Sequence, residues 1–231
     1  MSLAGKIRSQ LCIALDLTTK SEAQEWVHRM KNYPVIFKFG LKLLPLLDAE
    51  FIRRSKDYGQ KIFIDAKLHD IPSQVADAVA TWETLGADYL TIHLSGGPKM
   101  ISEAAKAAKQ TQILGVSVLT SMSPSDFAAE KDTRSLDAII ESRAELASTN
   151  GVKWIVSAAT DVPKIRAKFP NLKSVTPGLS FELNSSNPDQ SRTATVQSAI
   201  DMGIEMLVVG RSILSAPKPE FVVESILKLI H

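Results

Sequence analysis

The sequence has few means of forming covalent cross-links, because Cys12 is its only cysteine. An intramolecular disulfide is therefore excluded, and the apolar run around Cys12 indicates a buried side chain rather than a reactive thiol. No stretch of about 18 apolar residues occurs, which argues against a membrane-spanning helix. No basic segment followed by an apolar one opens the sequence. We therefore expect a cytoplasmic protein without a membrane partner.

A strong charge of either sign is also missing. The 27 lysines and arginines nearly balance the 25 aspartates and glutamates, for a net charge of +2. No basic cluster stands out, so we expect no nucleic-acid partner. The sequence also lacks a glycine-rich nucleotide loop and a cysteine–histidine metal cluster, and we expect no cofactor and no metal. At 231 residues and 45% hydrophobic, the chain has enough apolar residues for a sizeable core.

Short apolar runs alternate with segments of helical spacing along the whole chain. The strand candidates are Leu11–Asp16, Val35–Gly40, Lys61–Leu68, Tyr89–Leu94, Gln112–Leu119, Lys153–Ser157, Leu172–Thr176 and Met206–Gly210. This alternation predicts a parallel sheet with helices outside it. Eight units favour a closed (β/α)8 TIM barrel, with a doubly wound open sheet as the alternative. Without a linker or composition break, we expect residues 1–231 to form one barrel domain.

The helix candidates have identifiable ends. Ser21 is a possible N-cap for the first helix, and Pro72 suits the first turn of another. The segment 41–58 is harder to assign, because Pro45 falls within its first turns. The candidates are Ser21–Met30, Pro72–Leu85, Pro98–Ala108, Ser135–Thr149, Val162–Phe169, Thr193–Met202 and Lys218–Ile230.

The third strand candidate changes abruptly from apolar to ionic. After the apolar residues 62–64 come Asp65 and Lys67, whose spacing of two places them on the same face of a strand. Asp70 follows just beyond the strand. A buried carboxylate and a buried ammonium must pair, so a structural salt bridge is the simplest interpretation. A reaction centre is the alternative.

Polar or conformationally permissive residues end nearly every strand candidate. The active site of a TIM barrel lies at this end of its strands. Such a bias favours a reaction centre over a purely structural barrel. The residues include Asp16, Lys38, Gly40, Asp65, Lys67, His93, Thr120, Ser121, Pro177, Gly178, Gly210 and Arg211.

The last two units suggest a phosphate site. Gly210 allows close approach of the backbone, and Arg211 would open a helix whose free N–H groups attract anions. The long polar loop 178–192 suggests a lid that closes over a ligand. A plain solvated loop is the alternative.

Taken in order, these motifs resemble the orotidine 5′-phosphate decarboxylase family. The most specific is the pattern D-x-K-x-x-D at 65–70, followed by Ile71-Pro72. The other matching segments are 14–16 (ALD), 37–40 (FKFG), 93–97 (HLSGG), 119–121 (LTS), 176–178 (TPG), 189–192 (DQSR) and 208–211 (VVGR).

The resemblance implies cofactor-independent decarboxylation of orotidine 5′-phosphate to UMP in de novo pyrimidine biosynthesis. It implies that Lys67 protonates C6 of the pyrimidine, with Asp65 beside the departing carboxylate. It also implies an obligate homodimer in which Asp70 reaches into the partner's site. The remaining implied contacts are Lys38 to Asp65 and the ribose, Asp16 to a ribose hydroxyl, Thr120 and Ser121 to the pyrimidine, and Pro177, Gln190, Gly210 and Arg211 to the phosphate and lid.

Some residues depart from the family pattern, and two alternative functions stay open. Leu179-Ser180-Phe181, Ser73-Gln74 and Thr193-Ala194 replace the usual residues, which affects the expected lid and interface contacts but not the charged cluster. One alternative is a Mg²⁺-dependent keto-sugar-phosphate decarboxylase or aldolase of the same superfamily. The other is a catalytically silent phosphate-binding barrel. The intact Lys67 and the segment 69–72 favour the decarboxylase.

Overall fold

The computed structural model describes residues 9–181 and 194–230. Within these ranges, eight parallel strands close into a barrel in sequence order, and the first strand pairs with the last. The closed barrel confirms the predicted TIM-barrel fold over the open-sheet alternative. The strands are β1 (Gln10–Leu15), β2 (Ile36–Phe39), β3 (Lys61–Leu68), β4 (Tyr89–His93), β5 (Gln112–Val116), β6 (Trp154–Val156), β7 (Lys173–Leu179) and β8 (Met206–Val209).

Helices fill the connections between the strands. In the described ranges none of them is long and apolar enough to cross a membrane. The helices are α1 (Lys20–Arg29), α2 (Ala49–Asp57), α3 (Pro72–Thr84), α4 (Gly97–Ala107), α5 (Pro124–Ala129), α6 (Leu136–Thr149), α7 (Val162–Lys168), α8 (Val196–Asp201), α9 (Arg211–Leu214) and α10 (Pro219–Ile230).

The N-terminus of α1 differs from the prediction. Thr19, rather than Ser21, is the N-cap, and it forms a capping box with Glu22. The Glu22 carboxylate accepts bonds from both the N–H and the hydroxyl of Thr19, and its negative charge favours a helix N-terminus. The ambiguous segment 41–58 consists of a 3₁₀ turn at Leu44–Leu46 and then α2, capped by Asp48.

Side chains of the strands alternate between two apolar layers. One layer fills the barrel interior, and the other lies between the strands and the helices. On β1, for example, Cys12 and Ala14 face inward while Leu11, Ile13 and Leu15 face the helices. The interior layer consists of Cys12, Ala14, Ile36, Phe63, Tyr89, Leu114, Trp154, Val175, Met206 and Val208.

Most strands end within one residue of the prediction, but two differ by three residues at the carboxyl end of the barrel. β5 ends at Val116 instead of Leu119. β7 continues beyond Thr176 through Pro177 and Gly178 to Leu179, with a shift in its pairing with β8. Proline has no N–H for the ladder, and Gly178 has a positive φ of 75°. The strand is therefore irregular where its side chains reach the end of the barrel.

Candidate active site

A cavity of about 820 Å³ opens at the C-terminal rim, the end of the barrel where the carboxyl ends of the strands meet. Its size suits a small-molecule site. The structure brings many of the predicted site residues into its lining, although they come from different strands. The predicted residues that line it are Asp16, Lys38, Asp65, Lys67, Thr120, Ser121, Pro177, Gly210 and Arg211.

Four of these residues form a row of alternating charges, which we call the ion chain. Lys38 Nζ lies 3.8 Å from Asp16 Oδ1 and 3.0 Å from Asp65 Oδ2. Lys67 Nζ lies 2.8 Å from Asp65 Oδ1. Asp65 therefore uses both carboxylate oxygens to bind lysines. The side chains of Lys38 and Asp65 are each only 11% exposed, so their attraction is weakly screened by water.

The ion chain holds its buried members in the charged state. Burial opposes ionisation of Asp65, but Lys38 and Lys67 outweigh it and lower the pKa of Asp65 to about 2. Burial likewise opposes the charge on Lys38, yet the carboxylates of Asp65 and Asp16 raise the pKa of Lys38 above its ordinary value. The cavity therefore contains fixed charges of both signs.

Lys67 reaches Asp65 from an unusual backbone conformation. Its φ is +49°, in the left-handed region that residues with a side chain rarely occupy. The pairing of β3 with β4 shifts register between Ile64 and Leu68, so Lys67 lies within a bulge. Strained backbone of this kind clusters at functional sites.

Thr91 on β4 belongs to this site but was not predicted. Its hydroxyl accepts a hydrogen bond from the Lys67 N–H at 2.9 Å and donates to Asp65 Oδ1 at 3.0 Å. The residue is 1% exposed. The only sequence signal is a polar residue at an inward-facing strand position, and threonine is common there as a β-branched strand former.

The predicted phosphate side lies at the carboxyl end of β8, next to Asp16, the member of the ion chain at the opposite end from Lys67. Gly210 precedes α9, which Arg211 begins. A Cβ at residue 210 would lie 3.4 Å from the Ala14 Cβ and 3.9 Å from Asp16 Oδ2, so this residue lies against β1 and the end of the ion chain. The N–H of Phe181 donates to Ser212 Oγ at 3.3 Å, which joins the end of β7 to α9. Backbone N–H groups and an exposed guanidinium at this point are suited to bind an anion.

Asp70 does not join this cavity. Its side chain is exposed, and Oδ1 accepts a hydrogen bond from the Ile71 N–H at 2.6 Å. Within residues 9–181 and 194–230, no cation forms an ion pair with it. The neighbouring Ile71 is 61% exposed. Gln190, with the rest of the predicted segment 189–192, lies outside the described residues.

A histidine pair lies near Lys67. The rings of His69 and His93 are 5.6 Å apart. Burial, followed by the nearby His69 and Lys67, lowers the pKa of His93. His93 is therefore neutral at neutral pH and adds no charge to the ion chain.

Ligand groups for a metal do not cluster in the part of the chain that the structure describes. No group of three or more histidine, cysteine, aspartate or glutamate side chains there could hold an ion. Asp65 instead bonds two ammonium groups and one hydroxyl.

Several known proteins are similar to this chain over nearly its whole length. The orotidine 5′-phosphate decarboxylase / HUMPS family matches residues 9–226. A protein of Prochlorococcus marinus named orotidine 5′-phosphate decarboxylase is 34% identical over 230 residues, covering 95% of both chains. One of the same name from Idiomarina loihiensis is 32% identical over 226 residues, covering 96% of this chain and 97% of its own.

A solved structure shows the same likeness. The crystal structure of orotidine 5′-phosphate decarboxylase from Lactobacillus acidophilus superimposes with a TM-score of 0.84 at 26% identity. The match covers 96% of this chain and 99% of that one. The family match, the relatives and the structural likeness all extend over nearly the whole chain. The chain therefore belongs to the orotidine 5′-phosphate decarboxylase / HUMPS family.

Proposed function

We propose that this protein decarboxylates orotidine 5′-phosphate to UMP without a cofactor, as a carboxy-lyase of pyrimidine biosynthesis. The observation that supports this most directly is the ion chain, which ends in Lys67 at a cavity of nucleotide size. The names of the relatives point to the same reaction.

Lys67 is the proton donor in this proposal. When the bond from C6 to the carboxylate breaks, CO₂ leaves and the electron pair stays on C6. A proton from Lys67 Nζ then forms the C6–H bond of UMP, and the neutral amine recovers a proton from water. No carbonyl adjoins C6 to spread the charge, so a fixed cation beside it stabilises the transition state.

Asp65 contributes in two ways. It holds the Lys67 ammonium at 2.8 Å, and it stands beside the substrate carboxylate. Two like charges about 4 Å apart repel by about 4 kcal/mol at an effective dielectric constant near 20. We assign the larger effect to Lys67, because its attraction grows as charge localises at C6 whereas ground-state repulsion is a contested source of catalysis.

The remaining cavity residues bind the rest of the nucleotide. The N–H groups after Gly210 and the Arg211 guanidinium bind the phosphate, and Pro177 and Gln190 complete that side. Binding the phosphate supplies energy for closing the site around the reacting carbon. Asp16, which lies beside Gly210, binds the ribose together with Lys38. Thr120 and Ser121 bind the pyrimidine.

We further propose a homodimer in which Asp70 completes the partner's ion chain. The exposed position of Asp70 outside its own cavity supports this arrangement. The exposed Ile71 beside it supplies apolar surface suited to burial between subunits. We also propose that the whole chain forms one barrel domain, because the family match spans residues 9–226.

The test is a turnover assay after complete removal of metal ions with EDTA. The absorbance of orotidine 5′-phosphate should decay as UMP forms, at the same rate with and without EDTA. Conversion of a keto-sugar phosphate that requires added Mg²⁺, with no orotidylate turnover, would instead establish the metal-dependent alternative. Binding of orotidylate without any turnover would indicate a silent barrel.

A further inference from the structure

We propose that Thr91 is a positioning residue, which holds Lys67 in its left-handed conformation and orients the Asp65 carboxylate. This inference rests on the proposed function, in which Lys67 is the proton donor. Thr91 is not among the residues that line the cavity, and its side chain is buried beneath the ion chain. It therefore acts through its two neighbours and does not touch the substrate.

The bulge in β3 creates the need for such a residue. Ile64 pairs with Leu90 and Leu68 pairs with Ile92. An advance of four residues along β3 is thus matched by an advance of only two residues along β4. Lys67 lies within this irregular stretch, where the regular ladder is interrupted. Its N–H is bonded by the Thr91 hydroxyl instead. A backbone N–H that is shielded from water needs a partner, so this bond stabilises the bulge.

The Thr91 hydroxyl has a single proton, which fixes the direction of both bonds. It accepts from the Lys67 N–H and must therefore donate its own proton to Asp65 Oδ1. The same oxygen accepts from Lys67 Nζ. One hydroxyl thus ties the backbone of Lys67 to the carboxylate that its own ammonium binds.

Loss of this hydroxyl frees both groups at once. Lys67 can relax toward an ordinary strand conformation, since the left-handed backbone is strained for a residue with a side chain. The Asp65 carboxylate loses one of its three donors. Either movement displaces the ammonium, and a displacement of about 1 Å at a reacting centre can cost about a hundredfold in rate.

The test compares Thr91→Val, which keeps the shape and removes the hydroxyl, with Thr91→Ser, which keeps the hydroxyl. We expect Thr91→Val to lower kcat roughly ten- to hundredfold with the KM for orotidine 5′-phosphate little changed. Thr91→Ser should recover most of the loss. A rise in KM with kcat unchanged would overturn the proposal. Equal losses of kcat in Thr91→Val and Thr91→Ser would also overturn it.

Thr111→Val is the matched control. Thr111 is also a buried threonine, 4% exposed, and its hydroxyl donates to the Ala87 carbonyl at 2.8 Å. It lies just before β5, at the opposite end of the barrel from the cavity. We expect Thr111→Val to lose a comparable amount of stability and to keep its kcat. If kcat fell in both Thr111→Val and Thr91→Val, the effect of Thr91 would be explained by general destabilisation.

A crystal structure of Thr91→Val separates this inference from the proposed function. We expect residue 67 to leave the left-handed region and Nζ to lose its contact with Asp65. An unchanged φ and an unchanged ion pair would overturn the positioning role, whatever reaction the protein catalyses. Should Thr91→Val fail to fold, Thr91→Ala gives the same two readouts, the φ of residue 67 and the contact between Nζ and Asp65. Absence of orotidylate turnover in the unaltered protein would contradict only the proposed function.

Discussion

The ammonium of Lys67 lies 2.8 Å from a carboxylate oxygen of Asp65, two residues earlier, although the backbone of Lys67 is left-handed. The spacing of two residues directs both side chains to the same face of β3. The register shift between Ile64 and Leu68 sets the backbone from which Lys67 reaches Asp65 at the C-terminal rim. The pair therefore lies within an irregular stretch of β3.

Lys67→Ala should lower turnover of orotidine 5′-phosphate roughly thousandfold or more, because it removes both the proton donor and a fixed cation. The decay of substrate absorbance gives the rate, and circular dichroism tests whether the fold is retained. Lys61→Ala is the control on the same strand, since Lys61 lies at the opposite end of β3, over the Tyr89 ring. Near-normal turnover in Lys67→Ala would remove the proposed donor.

Mixing an Asp70→Ala chain with a Lys67→Ala chain should restore activity. If the site is shared, each hybrid dimer holds one site with both residues intact, and random mixing leaves about a quarter of all sites active. The chains are mixed under conditions that exchange subunits, and turnover is compared with that of each variant alone. Proven exchange without recovery would argue against Asp70 acting in the partner's site.

Arg211→Ala should weaken the binding of phosphorylated ligands selectively. A charge-assisted hydrogen bond contributes about 1.5–3 kcal/mol, so binding of UMP should weaken roughly ten- to hundredfold. Binding of uridine, which has no phosphate, should hardly change. Calorimetric titration of both ligands gives the comparison, with Arg53→Ala on the exposed face of α2 as control. Equal weakening for both ligands would contradict a phosphate contact.

Acid should remove the stabilisation that Asp65 provides. Its pKa of about 2 in the folded protein lies below the value of about 3.9 for an unfolded aspartate. The folded state therefore binds this proton less readily than the unfolded state does. Asp65 contributes on the order of 2 kcal/mol to the free energy of unfolding above about pH 4, and this contribution is lost as the pH falls toward 2.

Asp65→Asn provides the measurement for this pH dependence. In urea unfolding at pH 7, the variant should have a much lower free energy of unfolding than the unaltered protein, because two lysines lose their counterion. This difference should become smaller below about pH 4. Asp137→Asn, which removes an exposed partner of Lys164, should change stability by less than about 1 kcal/mol. A deficit that stays constant down to pH 2.5 would contradict the low pKa.

Glu83 should stabilise the opposite end of the barrel. Its Oε2 accepts three backbone N–H groups, from Lys109 and Gln110 at 2.8 Å and from Thr111 at 2.9 Å. Glu83→Ala leaves these groups without their acceptor and should cost about 1–3 kcal/mol in the free energy of unfolding.

Glu103→Ala is the control for this change, because Glu103 forms an exposed ion pair with Lys106 on α4. It should cost well under 1 kcal/mol. Turnover should stay normal in both variants, since neither lies near the cavity. Equal urea midpoints for Glu83→Ala and Glu103→Ala would show that the three bonds add little.

The barrel could be predicted from the sequence because its physical signal repeats eight times. Each short apolar run needs a helix to cover its outer face, and the run at 62–64 leads into Asp65 and Lys67, which can be buried only as a pair. The limits of β7 could not be predicted, because Pro177 and Gly178 normally end a strand, whereas here the strand resumes after an irregular pair.

The supporting contacts of the site were harder to predict. Thr91 lies between Leu90 and Ile92, where a threonine is usually explained by its strand preference. Its two hydrogen bonds depend on the bulge in β3, and no residue type marks that bulge, since Lys67 occupies a conformation more typical of glycine. The distant partner and the strained backbone are visible only in three dimensions.

The ion chain has a consequence for how this rim can evolve. Asp16, Lys38, Asp65 and Lys67 each serve as counterion to a neighbour, so replacing one leaves another unbalanced. The cost of changing two of these residues together therefore differs from the sum of the two single costs. Natural variation at the four positions is expected to be correlated, most of all at the buried pair Lys38 and Asp65.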